Sequence, residues 1–259
     1  RNGNPVIQFI IGESDSMLLG NTLRFTGQLA CFLSNGSSSV SNVSPLAMSE
    51  KLGVYSTIDT LTIKSQKTGQ TIETIRHYNR FLASYLPVTS SAQDNMGHAY
   101  TSSLILPNIP SSSGTANSFC CALPCGLFNG RNPIPLMPEA IGGLLIELHL
   151  APDSQVFHSN TDSSASIQDA FYEFSDISLV AETLTPDPAT LQQMKSQSSS
   201  TFEYNSINTY YQTINSANGI INFQLGLSRV LGVFCNIVPA SHINNMLYDG
   251  LATLYPTNT

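Results

Sequence analysis

LGVYSTIDTLTIKSQKTGQTIETIRHYNRFLASYLPVTSS, residues 52–91, spells a strand, a tight turn, a returning strand and an amphipathic helix in direct succession. Within 58–64, Ile58, Thr60, Thr62 and Lys64 fall on one face and Asp59, Leu61 and Ile63 on the other, with β-branched side chains prevailing, which predicts a half-buried strand. Lys67-Thr68-Gly69-Gln70 supplies the turn, Gly69 taking the positive φ, and residues 71–75 return as the paired strand. From Tyr78 onward, Tyr78, Phe81, Leu82, Tyr85 and Leu86 recur at helical spacing as one apolar stripe, while Arg76, Asn79, Arg80 and Ala83 face elsewhere. Pro87 is expected to stop this helix.

Outward from this unit the same alternation returns. Residues 23–29 alternate apolar and polar side chains; 141–150 turn Leu144, Ile146, Leu148 and Leu150 to one face and Glu147 and His149 to the other; 177–184 set Ile177, Leu179 and Ala181 against Asp176, Ser178 and Glu182. Long polar loops, 34–44, 107–118 and 154–166, separate such runs. The fold class expected is an all-β, antiparallel jelly-roll sandwich with two short helices. The second helix has Asp187 as N-cap, Pro188 in its first turn and Lys195 near its end. Ser196-Gln197-Ser198-Ser199-Ser200 reads as a linker, which places a first unit in 1–195 and a second in 196–259. Beyond it Phe202, Tyr204 and Tyr210, then Ile221, Phe223, Leu225 and Leu227, then the apolar run 230–238 restart the strand pattern. Roughly sixty residues are too few for another sandwich of seven or eight strands, so the second unit is read as opening strands only.

Charged residues make up only 10% of the 259, against about 25% in an average domain, and Ser, Thr, Asn and Gln replace them. Such a weakly solvated surface suits close contact with neighbouring molecules. A net charge of −7, with ten scattered basic residues, argues against phosphate neutralisation and so against direct, sequence-specific nucleic-acid binding. The longest apolar runs, 144–150 and 230–238, are interrupted by Glu147, His149 and Asn236 and fall short of a membrane span. Residues 6–11 are too short for a signal-peptide core, and five cysteines in an odd set favour a reducing compartment. The sequons at Asn35 and Asn42 read as chance in a serine-rich loop.

Chemistry-bearing patterns are scarce. Cys120-Cys121-Ala122-Leu123-Pro124-Cys125 has no second pair to complete a zinc site, and His77, His98, His149, His158 and His242 have no paired-ligand spacing. Gly12-Glu13-Ser14-Asp15-Ser16 lacks the second glycine of a nucleophile elbow. Glu13 with Asp15, and Asn160 with Asp162, read as solvated turn residues rather than cation ligands. No glycine pattern for nucleotide phosphates occurs, so neither cofactor, metal nor catalytic residues are assigned and the chain is read as a non-enzyme.

In order along the chain, Ser16 to Gly27, Gly53 to Ile63, Gly69-Gln70-Thr71-Ile72-Glu73, Tyr78-Asn79-Arg80-Phe81-Leu82, Ile134-Pro135-Leu136 leading into Gly142 to Leu148, and Phe174 to Leu184 with the Asp187 helix are similar to stretches of one family. The chain resembles the double jelly-roll major capsid proteins of Polinton-like viruses and virophages. The positions carrying the resemblance are Leu23, Arg24, Gly27, Gly53, Ile58, Asp59, Gly69, Gln70, Ile72, Glu73, Tyr78, Asn79, Arg80, Gly143 and Glu147. The resemblance implies a structural protein without an active site. Its subunits would associate as trimers of nearly hexagonal outline that tile an icosahedral shell beside penton and minor capsid proteins. It also implies a place in the virion capsid, assembly inside the host cell, and a second roll of which residues 200–259 are the opening. Two other readings stay open at this point: a minor vertex jelly-roll protein, and a glycan-binding adhesin or lectin using Tyr55, Tyr100, Tyr210 and Tyr211.

Overall fold

Alternating β-branched and apolar residues leave the chain few ways to bury its cores except by pairing strands into two facing sheets. The computed structural model describes residues 5–32, 46–49, 52–89, 116–130, 132–159, 167, 169–196, 202–214, 220, 222, 226 and 229–251. In chain order the strands are β1 (Val6–Ile11), β2 (Met17–Leu18), β3 (Arg24–Phe32), β4 (Leu46–Met48), β5 (Ile58–Ser65), β6 (Thr71–Arg76), β7 (Asn117–Ala122), β8 (Ile134–Pro135), β9 (Leu144–Leu150), β10 (Phe157–Ser159), β11 (Phe171–Val180) and β12 (Thr183–Leu184). The helices are α1 (Tyr78–Thr89), α2 (Asp153–Val156) and α3 (Pro188–Ser196).

All pairings are antiparallel. One sheet has the order β1-β9-β5-β6 and the facing one β11-β3-β7. Except at the β5–β6 hairpin, successive long strands alternate between the two sheets: β1 lies in the first, β3 in the second, β5 and β6 in the first, β7 in the second, β9 in the first and β11 in the second. This winding is that of a jelly roll. Short pairs, β12-β2-β8 and β10-β4, extend it. Between the layers Phe25 is fully buried and touches Phe9 of the first sheet (5.9 Å between centroids) and Phe119 and Phe174 of its own (4.9 and 5.8 Å).

The opening unit folds largely as its pattern dictates, with instructive departures. Gly69 sits at φ 68° in the hairpin, as the turn requires. Ile58, by strict alternation on the Thr60 face, is instead buried with Leu61 and Ile63, because the register slips between Ile58 and Thr60 where β5 pairs with β9. Helix α1 continues through Pro87 to Thr89; the proline falls in the last turn, and the Thr89 hydroxyl donates to the Tyr85 carbonyl at 2.9 Å. Its buried face is rotated from the expected stripe: Asn79 and Ala83 are fully buried beside Tyr78 and Leu82, whereas Phe81 and Tyr85 lie half-buried on the flank. Asn79 tolerates burial because its amide donates to the Ser56 carbonyl (3.2 Å) and its oxygen accepts from the Arg80 N–H (2.8 Å).

Elsewhere the 177–184 strand begins earlier, at Phe171, and breaks after Val180. Asn117 and Ser118, read as loop, open β7, and 153–159, also read as loop, form α2 and β10. Residues 6–11, read only as a short apolar run, form β1. The loops 34–44 and 107–115 lie outside the described residues, as do 160–166 and 197–201. Beyond 201 the described residues carry no strand, because extended backbone counts as a strand only beside a hydrogen-bonded neighbour. Replacing Phe25 by Ala is expected to cost about 3–5 kcal/mol, read as a lower urea midpoint with the m-value unchanged.

Candidate interaction surface

Strand β6 is the outer edge of its sheet, and an uncovered edge invites foreign pairing. Here the chain covers it with its own later residues. The Tyr204 hydroxyl donates to the Ile72 carbonyl (2.8 Å), the Arg76 N–H donates to Thr209 Oγ1 (3.0 Å), and Tyr211 lies 5.3 Å from the His77 ring. At the centre stands Glu73, only 4% exposed. Its Oε1 accepts from the N–H groups of Gly126 (3.1 Å) and Ile207 (2.8 Å), and its Oε2 from that of Leu127 (3.0 Å). One carboxylate thus joins three segments distant in sequence. Burial pushes its pKa above the usual glutamate value while the three N–H donors pull it down, burial being the larger effect. A raised carboxyl pKa means that the folded chain holds this proton more firmly than the unfolded one. Through Glu73, therefore, stability falls as pH rises from the usual glutamate range through the raised value.

The loop that meets Glu73 is shaped for close approach. At Gly126 a Cβ would run into the Asn205 carbonyl oxygen and the Glu73 carboxylate. Cys125 is buried, its thiol accepts from the Phe128 N–H (3.3 Å), and burial holds its pKa well above the ordinary thiol value. Tyr78, fully buried, donates its hydroxyl to the Pro124 carbonyl (3.0 Å). On the flank of α1, Phe234 sets its ring edge-on to Phe81 and Tyr85 (6.2 and 5.5 Å), and the Asn236 amide donates to the Arg80 carbonyl (3.3 Å). An open groove of about 780 Å³ remains between Tyr85, Asn129, Gly130, Asn205 and Leu231.

The positions singled out by resemblance do not converge on one point. Ile72, Glu73, Tyr78, Asn79 and Arg80 gather at or beside this seam. Asp59 is close by, 3.5 Å from His77 Nδ1 and accepting from the Thr60 hydroxyl (3.0 Å), and the His77 contact holds its pKa below the usual carboxylate value. Glu147 stands apart, bound to Lys64 (2.6 Å) and to the Gln8 amide (2.9 Å), which lowers its pKa. Arg24 donates to the Asn21 and Leu23 carbonyls (2.9 Å each), and Leu23 and Ile58 are core. Gly27 is packed under β11, where a Cβ would meet Ile177, Phe119 and the Ser175 carbonyl at 3.0–3.1 Å. Gly53 and Gly143 take positive φ (51° and 77°), and the Gln70 carbonyl accepts from the Ser65 N–H to close the hairpin.

Among the other candidates, Asp15 is paired with Lys195 at 2.6 Å, and Tyr55 is 2% exposed, out of reach of any ligand. Tyr210 and Tyr211 are exposed; Tyr100, Asn160 and Asp162 lie outside the described residues. Gly126, Ile207 and Phe234 escaped the sequence reading, since nothing local marks a residue whose partner lies 53 or more positions away. The later residues also present a row of large apolar side chains to solvent: Ile220 is 82% exposed, Val233 72%, Ile237 67% and Leu231 64%. No helix among the described residues is long and apolar enough to cross a membrane.

No protein-family profile and no curated protein matches the chain. Solved structures do. PBCV-1 VP54 fitted into a cryo-EM reconstruction of the virophage Sputnik is similar at 14% identity and a TM-score of 0.40, over 76% of this chain and 46% of that one. The quasi-atomic PBCV-1 virus capsid gives 15% and 0.38, over 74% and 45%. This chain therefore spans less than half the length of those it resembles. At so remote a likeness, the weight falls on the chain's own geometry.

Two outcomes follow from the seam. Glu73→Gln turns an NH2 toward three N–H donors, and Gly126→Ala fills the space of the Asn205 carbonyl, so both variants should free the 202–211 segment while the sandwich stays folded. Faster cleavage by a non-specific protease in 202–214 and faster exchange of the Ile207 amide, at a cost of about 1–3 kcal/mol, would register this. For Asp59, whose folded pKa is depressed, the stability it adds is present above the unfolded aspartate pKa and is lost as pH falls through the folded value. The stability gap between wild type and Asp59→Asn should accordingly close on acidification in urea titrations.

Proposed function

We propose that this chain is the first roll, with the opening of a second, of a structural subunit of an icosahedral viral shell, a double jelly-roll major capsid protein. The observation that carries the reading is the row of exposed apolar side chains after residue 219, attached to a sandwich that is otherwise well packed. Isolated apolar residues on a surface need no explanation, but a run such as Val230, Leu231, Val233 and Phe234 does. A second sandwich built from the later residues, lying against the α1 flank, would cover them.

Three further features agree. The jelly-roll winding gives a rigid wedge whose loops vary without disturbing its core. The low charge content suits flanks that lie against copies of the same subunit, where closed symmetry buries weakly solvated surface. The order of the stretches resembling the capsid family runs along most of the chain. In this reading three subunits form a pseudo-hexagonal capsomer, many capsomers tile the shell, and the role is architectural rather than catalytic. The product of the complete reading frame should elute as a trimer in size-exclusion chromatography with light scattering and show hexagonal outlines in negative-stain electron microscopy. A product that stays monomeric under assembly conditions overturns the proposal.

A further inference from the structure

The two sides of the sandwich are closed unequally. In the interior strands, and at the β6 and β7 side, inward residues are sealed: Leu61, Ile63, Ile75, Phe119, Cys121, Leu144, Ile146 and Leu148 are each 3% exposed or less. At the β1 and β11 side they are not. Ile7, Phe9 and Ile11 of β1 and Phe174, Ile177 and Leu179 of β11 face the core yet remain only partly buried. The first sheet has four strands and the second three, and from Tyr172 to Val180 the strand β11 has β3 as its only strand neighbour among the described residues. A jelly roll closed by two four-stranded sheets has eight long strands, and here one position, beside β11, is open.

We propose that the outer edge of β11 pairs with an eighth, antiparallel strand, and that this strand is the polypeptide that leads into β1. Connectivity selects this occupant. Because successive long strands alternate between sheets and β1 lies in the first, the strand before β1 belongs in the second. The ends also meet. The Tyr172 hydroxyl at the start of β11 donates to the Ala151 carbonyl (2.6 Å), and the neighbouring Leu150 N–H donates to the Pro5 carbonyl (3.0 Å) at the entry to β1. A strand running antiparallel to β11 finishes beside Tyr172, at the end of the sandwich where the chain enters Val6. Crossing the ~10 Å between sheets takes only a handful of residues at ~3.3 Å each.

The edge specifies its partner's chemistry. The partner is a stretch of about ten residues with alternating large apolar side chains laid over Phe9, Phe174 and Ile177. Its outward positions are basic or polar, because Glu173 and Asp176 are the exposed charges on this edge. The inference stands on strand connectivity and does not depend on the shell role: a trimer with an unpaired β11 refutes this pairing alone, and a monomer with β11 paired refutes the shell role alone.

Hydrogen exchange by NMR on two proteins tests it: the 259-residue chain, and the same chain preceded by its own natural coding sequence. In the longer protein every second amide of β11 should exchange at least about a hundredfold more slowly than in the shorter, and binding of the dye ANS to the shorter protein should disappear. A synthetic peptide of the preceding stretch, added to the shorter chain, should restore protection. Four results overturn the proposal: a gene with no preceding strand-length stretch, equal exchange in both proteins, protection already complete in the monomeric shorter chain, or protection that appears there only as concentration rises. The third would assign the edge to a segment within the 259 residues, and the fourth to a second copy.

Discussion

A carboxylate withdrawn from water needs hydrogen bonds to replace those it leaves, and Glu73 finds three, each from a different residue of two distant segments. Because these donors are backbone N–H groups, the arrangement constrains main-chain position rather than side-chain identity. The loop after β7 must bring Gly126 and Leu127 within 3.1 Å, and the chain beyond the linker must bring Ile207 to the same oxygen as Gly126. Neither can shift without leaving a buried charge short of partners. The course of 202–211 along β6, and with it the placing of Phe234 against α1, follows from this one requirement.

The sandwich itself was legible from alternation. Strands β3, β5, β6 and β9, the hairpin at Gly69, and the N-cap at Asp187, whose Oδ1 accepts from the Ala189 and Thr190 N–H groups, all answer to signals spanning a few residues. The seam was not legible, because its bonds join positions 53 and 134 apart and no local period records them. Glu73 illustrates the gap: in sequence it is one polar position of a half-buried strand, and only the facing loop shows that it is inward and consumed. The resemblance drew attention to Glu73, Tyr78 and Asn79, but gave them no partners.

The departures share a cause. Strict period-two reasoning misplaced Ile58 because β5 changes register beside β9, and period-3.6 reasoning misplaced the buried face of α1 because Asn79 is satisfied by Ser56 and can turn inward. In both cases a polar or irregular feature was absorbed by a specific hydrogen bond or a slipped ladder, and the apolar pattern then rotated around it. Residues 6–11 were missed for a different reason. Both faces of β1 carry apolar side chains, Val6 and Ile10 outward and Ile7, Phe9 and Ile11 inward, so the alternation that marks a strand is muted.

That muted alternation bears on how the wedge is used. Ile10 is 66% exposed on the outer face of the first sheet, on the strand whose inner face is incompletely sealed, whereas the opposite edge is covered by the chain's own later segment and anchored through Glu73. Protection of sheet edges is thus handled by recruitment of other polypeptide and not by charge, in keeping with a surface where only one residue in ten is charged. A fold that guards its edges in this way is complete only in company. The physical cost of exposing Val233, Ile237 and Leu231 to water is removed when further strands or neighbouring copies lie over them, so the same weakly charged surface that leaves this chain unfinished alone is what suits it to be one part of a larger body.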